Sequence, residues 1–334
     1  FKIYKLLFFS TLLIGTLIAI SSYSWMGMWM GLEINLLSII PLMNSKFNLF
    51  SSETSVKYFI VQALASTTLM FSIILMSLKF SSWESILNSN LLMIFNSSLL
   101  MKMGAAPFHF WFPEVIEGLN WINSLILLTW QKIAPMMLII LNSTLFFSII
   151  IILSTLISGI MGMNQISLRK ILAFSSINHI SWMIATLMFF KTLWMIYFTI
   201  YSIISLNIIL IFNKFNIFYF KQIFNYLKSP MIKVFFMLNF LSLGGLPPFL
   251  GFFPKWLTIQ YMISNNLMIT SFIMILATLV TLFFYMRLTF SALTMKISYQ
   301  KFKINQNFNL FYIWSFNFIT LFSLIIMTLS INLT

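Results

Sequence analysis

Long apolar runs, separated by short polar or Pro/Gly-marked joints, follow one another along almost the whole chain. A helix that crosses a membrane needs about 20 mostly apolar residues. The runs have approximate limits 4–22, 25–44, 55–79, 88–107, 120–141, 145–163, 168–190, 193–213, 230–262, 267–291 and 308–332. The pattern therefore predicts an all-α membrane protein with about eleven transmembrane helices, forming a single polytopic membrane domain over residues 1–334.

The ninth run, 230–262, is too long for one straight crossing and contains the string SLGGLPPFLGFFPKW. Its glycines and prolines cannot continue an α-helix, so we expect one discontinuous helix here rather than two crossings. The string PFHFWFPE at 107–114 shares Pro, Phe, Phe and Pro in the same register with PFLGFFPK at 248–255. Transporters often repeat a broken helix in each half, so the echo predicts an internal repeat.

Composition excludes a soluble protein, because 60% of the residues are hydrophobic and only 7% are charged. The formal net charge of +14 would indicate nucleic-acid binding in a soluble protein. With eleven crossings, however, most Lys and Arg residues fall in the loops of one side, whereas Lys79 and Lys191 fall on the other. The positive-inside rule then places the N-terminus on the inner side of the membrane and explains the charge without nucleic acid.

The chain has no cysteine, which excludes disulfides, thiolate-held iron-sulfur clusters and thioether-linked haem. His109 and His179 could in principle hold a haem, but their predicted depths in the membrane differ. We therefore expect no redox cofactor and no metal in this chain.

Four charged residues lie inside predicted spans, where their side chains cannot easily reach water: Glu33, Lys102, Lys132 and Lys255. From the helical rise, Glu33 is about 12 Å, Lys102 about 21 Å and Lys132 about 18 Å from the start of its span. A charge in the bilayer centre costs at least about 2.5 kcal/mol. Desolvated lysines can lose and regain protons, which indicates a lateral proton relay; the alternative is a static buried ion pair, as between Glu33 and Lys102.

His179 lies near the middle of its span in the string SSINHISW, among side chains that could hold water. A polar midplane histidine fits a relay, and it fits equally a histidine satisfied by an interhelical hydrogen bond. His109 follows Pro107 at the end of its helix, where a structural role is the better interpretation.

The strings WMGLEINLLSIIP, LLMKMGAAPFHFWFPE, TWQKIAPMMLI, SLRKILAFSSINHISWM and LSLGGLPPFLGFFPKW resemble the chain 2 family of mitochondrial NADH:ubiquinone oxidoreductase, respiratory complex I, in an insect-like version. The resemblance runs from about residue 20 to residue 290. It implies an antiporter-like fold that lacks the first three helices of fourteen-helix relatives. It also implies relay roles for Glu33, Lys102, Lys132 and Lys255 and, less directly, for His179.

By this resemblance the chain would be a core proton-translocating subunit in the mitochondrial inner membrane, with its N-terminus toward the matrix. The complex would use NADH, FMN, iron-sulfur clusters and ubiquinone, none of them bound by this chain. Expected partners are other membrane-arm core subunits, accessory subunits and phospholipids such as cardiolipin. The alternatives are a stand-alone cation/proton antiporter and a purely structural membrane subunit.

Overall fold

The computed structural model describes residues 3–44, 48–77, 84–139, 144–220, 222–223 and 230–294, and these residues are mostly helical. The helices are α1 (Ile3–Ser21), α2 (Trp25–Met43), α3 (Leu49–Ser77), α4 (Glu84–Met103), α5 (Trp111–Gly118), α6 (Trp121–Leu128), α7 (Trp130–Leu138), α8 (Thr144–Met163), α9 (Leu168–Leu187), α10 (Lys191–Phe215), α11 (Pro230–Gly244), α12 (Phe252–Ser264) and α13 (Met268–Thr294). Outside the helices, Ser167 and Tyr219 form an isolated antiparallel bridge.

Within these ranges, 6 helices are long and apolar enough to cross a membrane by themselves, namely α1, α2, α3, α8, α10 and α13. The all-α class is therefore confirmed, whereas the number of eleven crossings stays a prediction. The predicted run 308–332 lies outside the described residues.

Two of the predicted runs are shortened or interrupted, and the helix of the run 55–79 begins earlier than predicted, at Leu49. The run 88–107 ends as a helix at Met103, because a break begins at Gly104 and lasts until α5 starts at Trp111. The run 120–141 is not one continuous helix but is divided at Thr129 into α6 and α7. The run 230–262 contains the expected break, between α11 and α12.

Helices α1 and α2 cross closely because small residues line their contact. A Cβ added to Gly31 would lie 2.5 Å from the backbone nitrogen of Ala19, and one added to Gly15 would lie 3.0 Å from that of Asn35. Such close approach of backbones is typical of helix packing in membranes, where van der Waals contact drives association. The crossing fixes α2, the helix that carries Glu33.

The contacts divide the chain into two compact units, Phe1–Ser154 and Thr155–Thr334. The first contains the break between α4 and α5, and the second contains the break between α11 and α12. Each unit thus has one discontinuous helix with a buried lysine beside it.

Candidate functional site

The first break is a helix C-terminus closed by a glycine. Gly104 has a φ of 74° and donates from its backbone nitrogen to the Met101 carbonyl over 3.2 Å, and Ala105 donates to the Leu100 carbonyl over 3.1 Å. This pair of bonds is the Schellman arrangement, which needs a left-handed residue that glycine adopts without strain. The peptide bond between Ala106 and Pro107 is cis.

Side chains from other helices complete the carbonyl hydrogen bonds at this terminus. Gln62 on α3 donates its side-chain amide to the Lys102 carbonyl over 3.1 Å. Trp111, at the start of α5, donates its indole N–H to the Met101 carbonyl over 3.2 Å. The backbone at the break is therefore hydrogen bonded to side chains of α3 and α5. These bonds restrict where the Lys102 side chain can lie.

Lys102 is 7% exposed, and its Nζ has no hydrogen-bond partner among the residues that the structure describes. The half-buried Glu33 is close enough for the two charges to interact. The ion pairs within 4.0 Å that involve described glutamates include Lys57 with Glu53 and Glu114, but none joins Glu33 to Lys102. The described arrangement is thus an interaction across a gap rather than a contact ion pair.

Lys132 lies on α7, three residues after the irregular Thr129. The backbone nitrogen and the hydroxyl of Thr129 both donate to the Leu125 carbonyl, over 3.0 and 2.8 Å. A threonine that bonds back in this way bends a helix. Lys132 is only 1% exposed, and its Nζ lies 5.7 Å from the centroid of the Phe112 ring on α5.

Helix α7 is held against both helices that carry the other two charges of this unit. It packs directly on α4. It is also joined to α2, because the amide of Gln131 donates to Oδ1 of the buried Asn35 over 2.8 Å. The first unit therefore brings the helices of Glu33, Lys102 and Lys132 together.

The second break repeats the hydrogen bonds of the first with an offset of 141 residues along the chain. Gly245 has a φ of 78° and donates to the Ser242 carbonyl over 3.0 Å, and Leu246 donates to the Leu241 carbonyl over 3.3 Å. The peptide bond between Pro247 and Pro248 is also cis. The local geometry thus matches the repeat expected from the two similar strings.

The two breaks nevertheless carry their lysines on opposite sides. Lys102 lies in the last turn before the first break, and Leu243 occupies the same place at the second. Lys255 lies after the second break, at the place that Glu114 occupies after the first. Glu114 is exposed and forms an ion pair with Lys57 at 3.2 Å. The repeat therefore preserves the backbone geometry of the break but not the position of the buried lysine.

Lys255 is buried, and its ammonium group points to the C-terminal end of α11, where the broken helix is interrupted. Its Nζ donates to the Gly244 carbonyl over 2.9 Å and lies 3.4 Å from the Leu243 carbonyl. It also lies 5.6 Å from the centroid of the Trp182 ring on α9. The broken helix therefore supplies the acceptors that its own lysine needs in a dry environment.

His179 occupies the middle of α9, a helix whose residues 171–186 are all buried. Its Nδ1 is hydrogen bonded to the hydroxyl of Tyr197 on α10 at 2.9 Å, and its ring centroid lies 4.9 Å from that of Tyr201. The adjacent Asn178 donates to the hydroxyl of Thr281 over 3.3 Å. His109, by contrast, lies in the first break, with its Nδ1 3.3 Å from the Pro107 carbonyl.

The sequence analysis did not select Gln62 or Tyr197, which are hydrogen bonded to Lys102 and His179. It also did not select Gln131 and Asn35, whose hydrogen bond joins α7 to α2. A polar amide inside an apolar run is a usable signal for Gln62, because a buried amide needs a partner. Tyr197 gives no such signal, since it lies in the second turn of α10 and tyrosines are enriched near the ends of membrane helices. Within the described residues there is also no cluster of three or more His, Cys, Asp or Glu side chains that could hold a metal ion.

Comparison with known proteins decides the family. Residues 22–281 match the membrane family described as NADH:quinone oxidoreductase/Mrp antiporter. The chain belongs to this family. It is 54% identical over 334 residues to NADH-ubiquinone oxidoreductase chain 2 of Aedes aegypti, with 98% of each chain covered. It is 53% identical over 311 residues to the chain 2 protein of Anopheles gambiae, with 92% of this chain and 91% of the relative covered.

Among solved structures, the fold resembles a chain of respiratory complex I from Thermus thermophilus, solved with bound aureothin. The TM-score is 0.87 at 20% sequence identity, with 98% of this chain and 79% of that chain covered. The likeness supports the antiporter-like membrane fold. Both broken helices, from α4 to α5 and from α11 to α12, fall inside the residues that match the antiporter family.

Proposed function

We propose that this chain is a core proton-translocating subunit of the membrane arm of respiratory complex I, in the mitochondrial inner membrane. It would couple electron transfer from NADH to ubiquinone with the movement of protons from the matrix to the intermembrane space. The observation that carries the proposal is the occurrence of three buried lysines beside interrupted helices, in a chain about half identical to chain 2 proteins.

The chemistry follows from burial. An ammonium group removed from water is unfavourable unless it is paired, so a desolvated lysine can exist in either protonation state near neutral pH. Lys102 has no hydrogen-bond partner in the described region, whereas Lys255 has backbone carbonyls as acceptors. Glu33 acts on Lys102 through its charge, so a small movement of α2 would change which state of Lys102 is favoured.

The relay residues in this proposal are Glu33, Lys102 and Lys132 in the first unit and His179 and Lys255 in the second. The close crossing of α1 and α2 and the hydrogen bond between Gln131 and Asn35 support a defined placement of the first group. The hydrogen bond of His179 also fits a purely structural histidine, and substitution of His179 distinguishes the two roles.

The surroundings of the chain are inferred from its relatives. Other membrane-arm core subunits, accessory subunits and lipids such as cardiolipin would cover its apolar surface, and no nucleic acid is involved. FMN, iron-sulfur clusters and ubiquinone would be bound by other chains of the complex. The N-terminus would face the matrix, and the chain would cross the membrane eleven times.

The second candidate is a stand-alone cation/proton antiporter, which the name of the matching family favours as the alternative. Blue-native electrophoresis of solubilised mitochondria distinguishes the two. Migration of this chain in a megadalton band with NADH dehydrogenase activity supports the complex I subunit. Migration as a small particle without that activity would instead support the antiporter.

The relay itself is tested with Lys132→Met in the intact complex, reconstituted into proteoliposomes. The substitution removes the charge and the exchangeable proton from a fully buried position and keeps an apolar stem of similar length. We expect fewer protons taken up per NADH oxidised. Lys191→Met is the matched control, because Lys191 is exposed at the start of α10. An unchanged proton yield for Lys132→Met would leave the lysine a structural role only.

A further inference from the structure

Two tyrosines of α10 flank the imidazole of His179. Tyr197 and Tyr201 are four residues apart, so they lie on the same face of the helix, one turn from each other. Both are buried, and α10 packs directly on α9. The Tyr197 hydroxyl makes the 2.9 Å hydrogen bond to Nδ1, whereas Tyr201 places its ring beside the imidazole at 4.9 Å.

The hydroxyl group suits a histidine whose charge changes. A phenol can donate or accept a hydrogen bond, whereas a backbone carbonyl can only accept and an ammonium can only donate. When Tyr197 accepts from Nδ1–H, that bond can remain in place whether the imidazole is neutral or charged, and the proton is gained and lost at Nε2. The ring then keeps its position while its charge changes.

We propose that Tyr197 is a positioning residue for His179, holding the Nδ1 edge of the imidazole so that proton exchange takes place at Nε2. This proposal rests on the proposed function, because it assumes that His179 belongs to the relay. No covalent bond is made or broken at Tyr197 in this scheme. One proton enters and leaves His179 in each cycle.

Other titratable groups also face this region. Lys255 on α12 lies against Trp182, which is three residues beyond His179 on α9. Tyr285 on α13 is close enough to Tyr197 and Tyr201 for their charges to interact if they were ionised. A change in pH dependence must therefore be assigned to His179 by substitution and not from the pH profile alone.

The test uses Tyr197→Phe, His179→Ala and the double variant in the intact complex, with proton uptake per NADH measured between pH 6 and 8. We expect Tyr197→Phe to lower the proton yield and to flatten its pH dependence, as His179→Ala does. We also expect the double variant to fall no further than His179→Ala, because Tyr197 acts only through the histidine. Tyr58→Phe removes another buried hydroxyl, on α3 in the first unit, and is the matched control.

His179→Asn separates proton exchange from simple hydrogen bonding. Its amide keeps a hydrogen-bonding group near Tyr197 but cannot bind a proton at working pH, so a relay histidine should lose as much proton yield as in His179→Ala. If His179→Ala and His179→Asn both pump normally, the relay role of His179 fails. If they are impaired but Tyr197→Phe pumps normally, or if the two losses add in the double variant, only the role of Tyr197 is overturned.

Discussion

The side-chain amide of Gln62 donates a 3.1 Å hydrogen bond to the backbone carbonyl of Lys102. The break after Met103 removes the helical N–H that this carbonyl would otherwise receive, and the glutamine on α3 replaces it. The same residue therefore satisfies a buried acceptor and fixes the backbone of Lys102, whose Nζ has no hydrogen-bond partner among the described residues.

Replacing Gln62 with leucine should destabilise the first unit, because the Lys102 carbonyl would remain buried without a donor. An unsatisfied buried group of this kind costs about 1–3 kcal/mol. The expected result is a lower midpoint of thermal inactivation of the assembled complex. Gln260→Leu is the control, since Gln260 is exposed on α12. Equal midpoints for the two variants would mean that the Gln62 bond contributes little.

Gly251→Ala should prevent the second broken helix from forming correctly. A Cβ at this position would collide with the carbonyl oxygen of Ser242, a backbone atom that cannot turn aside. Such overpacking should cost more than about 3 kcal/mol. We expect loss of the assembled complex on native gels. Gly159→Ala is the control, because its Cβ would meet its nearest neighbour at an ordinary 3.4 Å. Normal assembly of Gly251→Ala would contradict the close approach at this break.

Depth along the apolar runs was enough to select Lys102, Lys132 and Lys255, because charges inside a membrane span are rare and easily recognised. The break at 230–262 was also predictable, since the Gly and Pro residues there cannot continue a helix. Depth does not show whether each lysine lies before or after its break. In the structure, Lys102 lies before the first break and Lys255 after the second, where the repeat has Glu114 at the equivalent position.

The division of the run 120–141 could not be predicted, because Thr129 and Pro135 each perturb a helix and the sequence does not show which one interrupts it. In the structure, Pro135 lies inside α7 and Thr129 is the irregular residue. Partners such as Gln62 and Tyr197 depend on which helices pack together, and that information is not in the local pattern. Their hydrogen bonds join residues 40 and 18 positions apart in the chain.

The hydrogen bond between Gln131 and Asn35 should couple the two helices measurably. Gln131→Leu should cost about 1–3 kcal/mol by leaving the buried amide of Asn35 unpaired, and Asn35→Leu should cost less, because the amide that it leaves unpaired, on Gln131, is only half-buried. The double leucine variant should be less damaged than the sum of the two. Exchanging the residues, Asn35→Gln with Gln131→Asn, keeps both amides and should restore part of the lost thermal stability. Strict additivity of the two leucine substitutions would show that the bond contributes nothing.

Glu33→Gln should leave assembly largely intact and slow NADH:ubiquinone turnover. Glutamine keeps the size of the side chain but removes the negative charge that acts on Lys102 across the gap between them. The rate of NADH oxidation with a ubiquinone analogue measures the effect. Glu53→Gln is the control, because Glu53 is exposed and its ion pair with Lys57 is weakened by the surrounding solvent. Turnover and pumping equal to those of the unsubstituted enzyme would remove Glu33 from the relay.

Lys102→Arg distinguishes a relay lysine from a static positive charge. Arginine keeps the charge and adds hydrogen-bond donors, but its pKa above about 12 prevents release of the proton at working pH. A structural cation tolerates that change, whereas a residue that alternates between charged and neutral forms does not. We therefore expect Lys102→Arg to block proton transfer through this subunit and, where electron transfer and pumping are tightly coupled, to slow quinone reduction as well.

The measurement for Lys102→Arg is proton uptake per NADH oxidised in proteoliposomes, beside Lys102→Met and the exposed control Lys191→Arg. Native gels must first show equal assembly, since the guanidinium group is larger than the ammonium group in a buried site. Equal losses in Lys102→Arg and Lys102→Met would identify proton exchange as the required property, because only the second variant lacks the charge. Normal pumping by an assembled Lys102→Arg enzyme would instead show that a permanent charge is sufficient, and Lys102 would then be a structural partner of Glu33.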